Sequence, residues 1–242
     1  MATFMGTPSD ELPDVLSTGR TDVSIAFVSM SAREPAGRDE EYLAWHFLDH
    51  LPEQHRLAGL RGALRLVSTP ACRAERAASD ERYDAVDHVM TYLFADRDVL
   101  TPFRALGAAL GAGDRMPLRL PSVALDVHDL AGKVAAPRVV VGSDVVPWRP
   151  ATGVYLVIEV GSASPERLAD IPGVAGVWWF TSAADDGATT QVAYCFLDDD
   201  PVATAQRLRP VVEKRWTDEN LTPLLAAPFH TVAPFEWGRY LP

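Results

Sequence analysis

The sequence has little cysteine and no long apolar run. Its two cysteines are Cys72, in a polar loop, and Cys195, in an apolar, strand-like run, which argues against a disulfide framework. No apolar stretch approaches the roughly 20 residues that span a bilayer, and the N-terminal residues lack the basic segment and apolar run of a signal peptide. We therefore expect a cytoplasmic protein with no membrane partner.

Basic residues are also scarce. The 22 Lys and Arg residues are outnumbered by 33 Asp and Glu residues, which gives a formal net charge of -11. Binding to a phosphate backbone needs clustered Lys and Arg, so we expect no nucleic-acid partner. Hydrophobic residues make up 48% of the 242 residues, enough for a substantial core.

The first part of the chain alternates strands and helices. Residues 1–21 have no periodic pattern and are predicted to form an N-terminal arm. Pro52 is incompatible with a helix interior, so the first helix should end near His50, with a short second turn to about Ala58. Four strands (22–30, 59–68, 87–95 and 122–129) and two helices (40–50, with Asp39 as its N-cap, and 102–110) follow from the patterns of apolar residues and helix-start signals.

The same order of elements recurs after a linker predicted at 130–152. Strands are expected at 154–160, 174–181, 189–197 and 229–232, with a short helix before Gly173 and a longer one at 201–216. This is the split βαβ, ferredoxin-like order. We predict an α+β fold in which two fused ferredoxin-like repeats, 22–129 and 153–242, face each other and form one barrel.

The segment from Asp39 to Leu66 contains three of the six histidines. Tyr42, His46 and His50 share one face of the predicted helix, beside a core stripe of apolar residues. A histidine near helix-terminal carbonyls suits general acid–base chemistry near neutral pH, so His50 is the first catalytic candidate. The alternative is a structural corner with His50 bonded to backbone carbonyls. Tyr42, Trp45 and His46 are candidates for substrate contact, although a solvent-flanking position is the favoured alternative for His46.

The strand at 87–95 has two different faces. His88, Met90, Tyr92 and Phe94 alternate with an aliphatic set that includes Thr91. We expect the aliphatic face to pack on the helices and the mixed face to line the barrel. There, His88 and Tyr92 are catalytic candidates and Met90 and Phe94 substrate contacts; a satisfied core pair is the structural alternative.

Four more residues are candidates for substrate binding. Asp126 and His128 share one face of the fourth strand, although an exposed strand end is the favoured explanation for them. Glu159 lies in an apolar strand and needs a partner or a raised pKa if it points inward. Trp178 and its neighbour Trp179 point to opposite faces, so only one of them lines the barrel. We predict no metal site, since His50, His88, His128 and Asp126 would make one only if they converged.

One stretch carries a resemblance to a known family. Trp45-x4-His50-Leu51-Pro52-Glu53, followed by Gly59-Leu60 and a strand with Arg65, resembles the EthD-like branch of the dimeric α/β-barrel superfamily. The resemblance implies ferredoxin-like halves paired into a barrel, with a ligand pocket between sheet and helices. Relatives include cofactor-free polyketide cyclases and isomerases as well as haem-degrading enzymes and haem-binding dehydratases, so the family does not determine the reaction.

The second half lacks a comparable histidine corner, so we expect one site per chain, in the first half. The primary hypothesis is a cofactor-independent cyclase, isomerase or lyase, in which His50 moves a proton next to a carbonyl or phenol of a hydrophobic small molecule. His88 and Tyr92 would stabilise the oxyanion. The alternatives are a haem-binding monooxygenase or dehydratase, and a non-catalytic or stress-related binding module. Whether two fused chains pair as a homodimer stays open.

Overall fold

The structure is a computed structural model that describes residues 5–12, 22–183 and 188–240. Most of the predicted N-terminal arm lies outside these ranges. Within them, no helix is both long and apolar enough to cross a membrane.

The strands form one antiparallel sheet. Within the described ranges they are β1 (Ile25–Ser31), β2 (Leu60–Val67), β3 (Ala78–Ser79), β4 (His88–Phe94), β5 (Ser122–Ala135), β6 (Gly153–Val160), β7 (Val174–Ala183), β8 (Thr189–Leu197) and β9 (Thr222–Thr231). Their spatial order is β2-β4-β1-β5-β7-β8-β6-β9-β3, and a further pairing of β2 with β9 closes the sheet into an eight-stranded barrel with β3 appended. The predicted α+β class is therefore correct.

Both halves of the barrel follow the ferredoxin-like strand order. In the first half β4 lies between β2 and β1, with β5 on the far side of β1; in the second half β8 lies between β7 and β6, with β9 beyond β6. The halves join where β5 pairs with β7 and where β2 pairs with β9. A strand pairing therefore runs across each seam, and neither half keeps a free edge there.

Two strands are longer than the sequence pattern predicts. β5 continues to Ala135, so residues 130–135, predicted as part of the linker, instead pair with β7 and form one seam of the barrel. β9 begins at Thr222 rather than near Phe229. Pro223 and Pro228 conceal it in the sequence, because proline removes a backbone donor and disfavours a strand assignment.

The barrel interior is a packed apolar core. Val28, Leu66 and Val89 from the first half meet Trp178 and Phe180 from the second half in this cluster. Thr91 Oγ1 lies 2.8 Å from the hydroxyl of Tyr194 across the interior. The aliphatic face of β4 thus lines the barrel and the mixed face packs on the helices, so the predicted orientation is wrong. Both faces of β4 are buried, and the more apolar one lies in the core shared by the two halves.

The helices lie outside the barrel. The first half is covered by α1 (Asp39–Trp45), a π-helical turn (His46–His50), α2 (Leu51–Gln54) and α4 (Leu100–Ala112). In the second half a 3₁₀ turn at Glu166–Asp170 replaces the first helix, and α5 (Pro201–Glu219) covers the sheet; the short α3 (Pro70–Ala74) lies between β2 and β3. Two separate helical segments therefore cover the sheet of the first half, whereas one long helix covers most of the sheet of the second half.

Candidate active site

A cavity of about 450 Å³ lies between the helices of the first half and the outer face of its sheet. The floor comes from β1, β2 and β4, and the walls from residues 42–54, α4 and the segment 116–125. The pocket between sheet and helices is where the resemblance places it. Its lining includes Phe27, Ser29, Tyr42, Trp45, His46, His50, Gln54, Arg65, Met90, Tyr92, Phe103, Arg104 and Arg119.

The helical segment on the cavity does not end at His50. It passes through the π-helical turn, where the N–H of Leu51 bonds to the carbonyl oxygen of His46, and it continues through Pro52 to Gln54. Proline cannot donate to the carbonyl four residues before it, and the wider turn before Pro52 accommodates that missing bond. The prediction of a helix end at His50 is therefore wrong, and terminal carbonyls do not explain its chemistry.

His46 and His50 form one wall of the cavity, and His46 is buried, so the solvent-flanking position favoured for it is wrong. Their ring centroids are 5.4 Å apart, and the Nδ1 atom of each is buried without a hydrogen-bond partner in the described structure. Burial lowers the pKa of His50, with Asp49 opposing and Arg65 reinforcing the shift. Burial together with Arg65 lowers the pKa of His46 well below its ordinary value. Both rings are therefore neutral at pH 7.

Gln54 determines the proton position on His50. The Nε2 atoms of Gln54 and His50 are 3.3 Å apart, and Gln54 Oε1 is buried without a partner among the described atoms. With its NH₂ group toward His50, the amide donates to Nε2, and Nδ1 carries the ring proton. Rotating the amide by half a turn makes Nε2 the donor and leaves Nδ1 as a base.

His88 lies behind the cavity wall and is absent from its lining. Its Nε2 is 2.7 Å from Asp39 Oδ1, and burial lowers its pKa to about 4 against the opposing effect of Asp39. The neutral ring therefore donates from Nε2 to the carboxylate. Asp39 is the first residue of α1 rather than the N-cap, and it also accepts from the backbone N–H of Glu34. The pair ties α1 to β4.

Arg65, on β2, also lines the cavity. It is 6% exposed, its Cζ is 4.7 Å from the centroid of the Tyr42 ring, and its Nε and Nη2 have no hydrogen-bond partner among the described residues. Its charge lowers the pKa of His46, His50 and His88 after the larger effect of burial. The prediction of site residues omitted Arg65. The alternation of β2 places it on one face with Ala63 and Val67, which was the available signal of an inward arginine.

Aromatic side chains make the remaining floor. Tyr92 and Met90 are buried and line the cavity beside Phe27 and Phe103. Burial raises the pKa of the Tyr92 hydroxyl, so it stays protonated and can donate a hydrogen bond. Phe94 is packed under this layer in the apolar cluster and does not reach the cavity.

The cavity rim is held by Arg115. Its guanidinium forms a bidentate pair with Asp49, at 3.2 and 2.8 Å, and its backbone carbonyl accepts from Trp45 Nε1 at 3.2 Å. These bonds attach the segment that contains Leu118 and Arg119 to the helical wall. The wall and the rim thus form one connected structure around the opening.

The other four candidates lie elsewhere. Trp178 is in the barrel core and donates to the carbonyl of Ser143, and Glu159 is buried against α5 in the second half. Asp126 lies near Arg82 at 3.5 Å, at a partly exposed position. His128 is buried, contrary to the exposed strand end considered for it, and burial lowers its pKa. None of the four lines the cavity, so substrate contact is not supported for them. The described residues contain no cluster of three His, Cys, Asp or Glu that would hold a metal ion.

Comparisons with known proteins give only distant likenesses. No protein-family model and no curated protein matches the chain. Among solved structures, an anthrone oxidase-like protein aligns with a TM-score of 0.45 and 10% identity over 89% of this chain and 94% of that one. A dye-decolorizing protein from V. cholerae aligns at 0.45 and 12%, over 86% and 93%. A chlorite dismutase-like protein aligns at 0.46 and 11%, over 90% and 100%. These likenesses assign neither family nor activity.

Proposed function

We propose that this chain is a cofactor-independent acid–base enzyme, of the cyclase, isomerase or lyase type, acting on a hydrophobic carbonyl or phenolic molecule. The observation that carries the proposal is the pair of neutral histidines, His46 and His50, on an aromatic cavity beside the buried cation of Arg65. Neutral imidazole is the form that accepts a proton at pH 7. A fixed guanidinium beside it stabilises the anion that proton removal creates.

His50 is the proposed base. With the carbonyl of Gln54 toward Nε2–H, Nδ1 accepts a proton from carbon next to a carbonyl, or from a phenol, and the resulting imidazolium donates to Gln54 Oε1. The Tyr92 hydroxyl, which stays protonated, would donate a hydrogen bond to the developing oxyanion, and the positive charge of Arg65 would stabilise it. His88, originally predicted for that task, is now proposed as a positioning residue that holds Asp39 and α1 in place.

Hydrogen exchange tests the proposal without knowledge of the natural substrate. A panel of enolisable aromatic ketones in D₂O is incubated with the protein, and loss of the α-proton signal is followed by NMR. We expect wild type to accelerate exchange and His50→Gln to slow it by about 10²- to 10⁴-fold. His55→Gln, at an exposed position just after α2, is the matched control. Full exchange activity in His50→Gln would refute the assignment, and retention of ligands without exchange would indicate a binding module.

A haem protein is the second candidate. The specific observation is that His46 and His50 line the cavity and that the buried Nδ1 of each has no hydrogen-bond partner among the described residues, since neutral imidazole is the form that binds haem iron. Bound haem would supply redox chemistry, with one of these imidazoles as the ligand. Haemin titration tests this: a Soret band that is lost in His46→Gln or His50→Gln supports it, and no spectral change removes it.

We also infer that the chain arose by fusion of two ferredoxin-like repeats and belongs to the EthD-like branch. The repeated strand order supports the fusion, and the Trp-x4-His-x-Pro corner supports the branch. A cytoplasmic location and a homodimer of fused chains stay predictions from the sequence. Size-exclusion chromatography with light scattering measures the second directly.

A further inference from the structure

Arg65 is a buried cation whose hydrogen-bonding capacity is unused. Its Nε and Nη2 donors have no partner in the described structure, although the side chain is only 6% exposed. A guanidinium removed from water normally has its donors satisfied, because an unpaired buried charge is costly. The two unpaired donors of Arg65 therefore call for an acceptor that the chain does not supply among its described residues.

Other arginines of the chain indicate which partner fits those two atoms. Arg61 binds the two carboxylate oxygens of Asp22 through Nε and Nη2, at 2.7 and 3.1 Å. Arg97 binds Asp129 in the same way, at 3.1 and 2.7 Å. Nε and Nη2 together form one edge of the planar guanidinium, which matches the spacing of carboxylate oxygens. In Arg65 the same two donors are buried and have no acceptor among the described residues.

The surroundings of Arg65 favour an anion as well. Arg104 and Arg119 also line the cavity, and none of its described lining residues is Asp or Glu. The chain as a whole carries a formal charge of -11, so this cationic cavity contrasts with the average surface. Next to these arginines, the rings of Phe27, Tyr92 and Phe103 form an apolar floor. The ring centroid of Phe103 is 5.0 Å from that of Phe27 and 5.0 Å from that of Tyr92.

We propose that the ligand of this cavity is a hydrophobic carboxylic acid whose carboxylate binds Arg65 and whose aromatic or aliphatic body packs on Phe27, Tyr92 and Phe103. The proposal names the substrate class of the proposed enzyme and rests on that function only for the location of the site. Binding is measurable without turnover, so the two proposals fail independently.

Matched acids and amides test it. Isothermal titration compares 1-naphthoic acid, 2-naphthoic acid and phenylacetic acid with their primary amides, at a pH where the acids are ionised. Wild type is expected to bind at least one acid about 10- to 100-fold more tightly than its amide. Arg65→Met should abolish that preference, and Arg65→Lys should retain part of it. Arg82→Met, an exposed arginine near Asp126, should bind like wild type.

A measurement on the wild type keeps the proposal testable even if Arg65→Met does not fold. The ¹⁵N resonance of Arg65 Nε should shift on titration with the acid and stay in place with the amide. Equal binding of acids and amides, no binding of any acid at millimolar concentration, or a preference preserved in folded Arg65→Met would each overturn the proposal.

Discussion

Each half of the barrel buries an arginine, and the two arginines have opposite surroundings. Arg215, on α5, is 8% exposed and bonds both oxygens of the buried Glu159, at 2.6 and 2.8 Å. Arg65 is equally buried and has no such acceptor among the described residues. The second half therefore completes its buried charge pair within the chain, whereas the first half leaves one partner to be supplied.

The packing under the helices differs in the same way. In the second half, Tyr155 and Val157 of β6 pack against Leu208 and Val212 of α5 in a continuous apolar cluster. In the first half, the corresponding strand β1 presents Ser29 and Ser31, and both line the cavity. Small side chains on the strand and two separate helical segments above it leave room that a single long helix fills. A common strand order thus supports one filled half and one open half.

Breaking the complete pair should have the largest effect. Arg215→Met leaves the carboxylate of Glu159 buried with only the neutral donors of Gln191 and Trp216, so we expect the free energy of unfolding to fall by about 3–5 kcal/mol. Urea denaturation at pH 7 measures it. Arg82→Met, which removes an exposed pair, should change stability by less than about 1 kcal/mol. The double variant Glu159→Leu/Arg215→Met should recover most of the loss; a single variant as stable as wild type would contradict the expectation.

Acid should weaken the first half selectively. The pKa of His88 is about 4 in the fold and 6.5 when unperturbed, so between these values the unfolded chain binds the additional proton and stability falls as pH falls. The contribution is on the order of 3 kcal/mol and is fully present above about pH 6.5. The neighbouring charges are Asp39, Arg65 and Asp87.

Urea denaturation from pH 7 to 4 measures this loss. His88→Gln should make the profile less steep, because glutamine does not titrate, whereas His46 and His50, whose pKa values are also lowered, still do. Hydrogen exchange adds spatial resolution: amides at 39–54 should lose protection at a higher pH than those of β6 and β8. A profile in His88→Gln that is as steep as that of wild type would show that other groups control the acid response.

The local sequence pattern predicted the position of a strand better than it predicted what each face of the strand packs against. The largely apolar run at 189–197, which follows a predicted turn, marks β8 with its observed bounds. The alternation at 87–95 did not tell which face of β4 enters the barrel, since all seven residues of β4 are buried. The polarity of a strand face indicates whether that face is buried or exposed to water. Both faces of β4 are buried, so polarity could not tell the barrel interior from the layer under the helices.

Of the predicted catalytic residues, His50 and Tyr92 reach the cavity and His88 does not, and Arg65 was not predicted. His46 and His50 lie on one helical face and reach the cavity, as their spacing indicates. Pro52 suggested a helix end because the rule on proline is local, whereas the π-helical turn before it, with His46 and His50 buried, lets the helix continue. Arg65 was missed because an isolated arginine in a strand is usually solvent-exposed, and its burial depends on residues distant in sequence.

Removing the unpaired charge should have the opposite sign from removing the paired one. In Arg65→Met without ligand, the free energy of unfolding should not fall and is expected to rise by about 1 kcal/mol, since the lost contact with Tyr42 is offset by relief of a buried, unsatisfied guanidinium. The pKa of His46 and His50 should also rise, because Arg65 lowers both. Urea denaturation and imidazole NMR titration measure these effects. A stability loss like that of Arg215→Met would mean that Arg65 is paired within the chain.

The smallest expected effect concerns the free space beside two glycines, one in each half. Gly107 lies in α4 on the cavity, and a Cβ added there meets no atom within 4 Å, whereas a Cβ at Gly176 of β7 would lie 2.7 Å from the backbone oxygen of Val134. Gly107→Ala should therefore stabilise by about 0.5–1 kcal/mol through helix propensity alone. Gly176→Ala should destabilise, because backbone must move to admit the methyl group. Thermal unfolding of both variants measures the contrast, and a loss of stability in Gly107→Ala would mean that the space beside α4 is filled in the ligand-free protein.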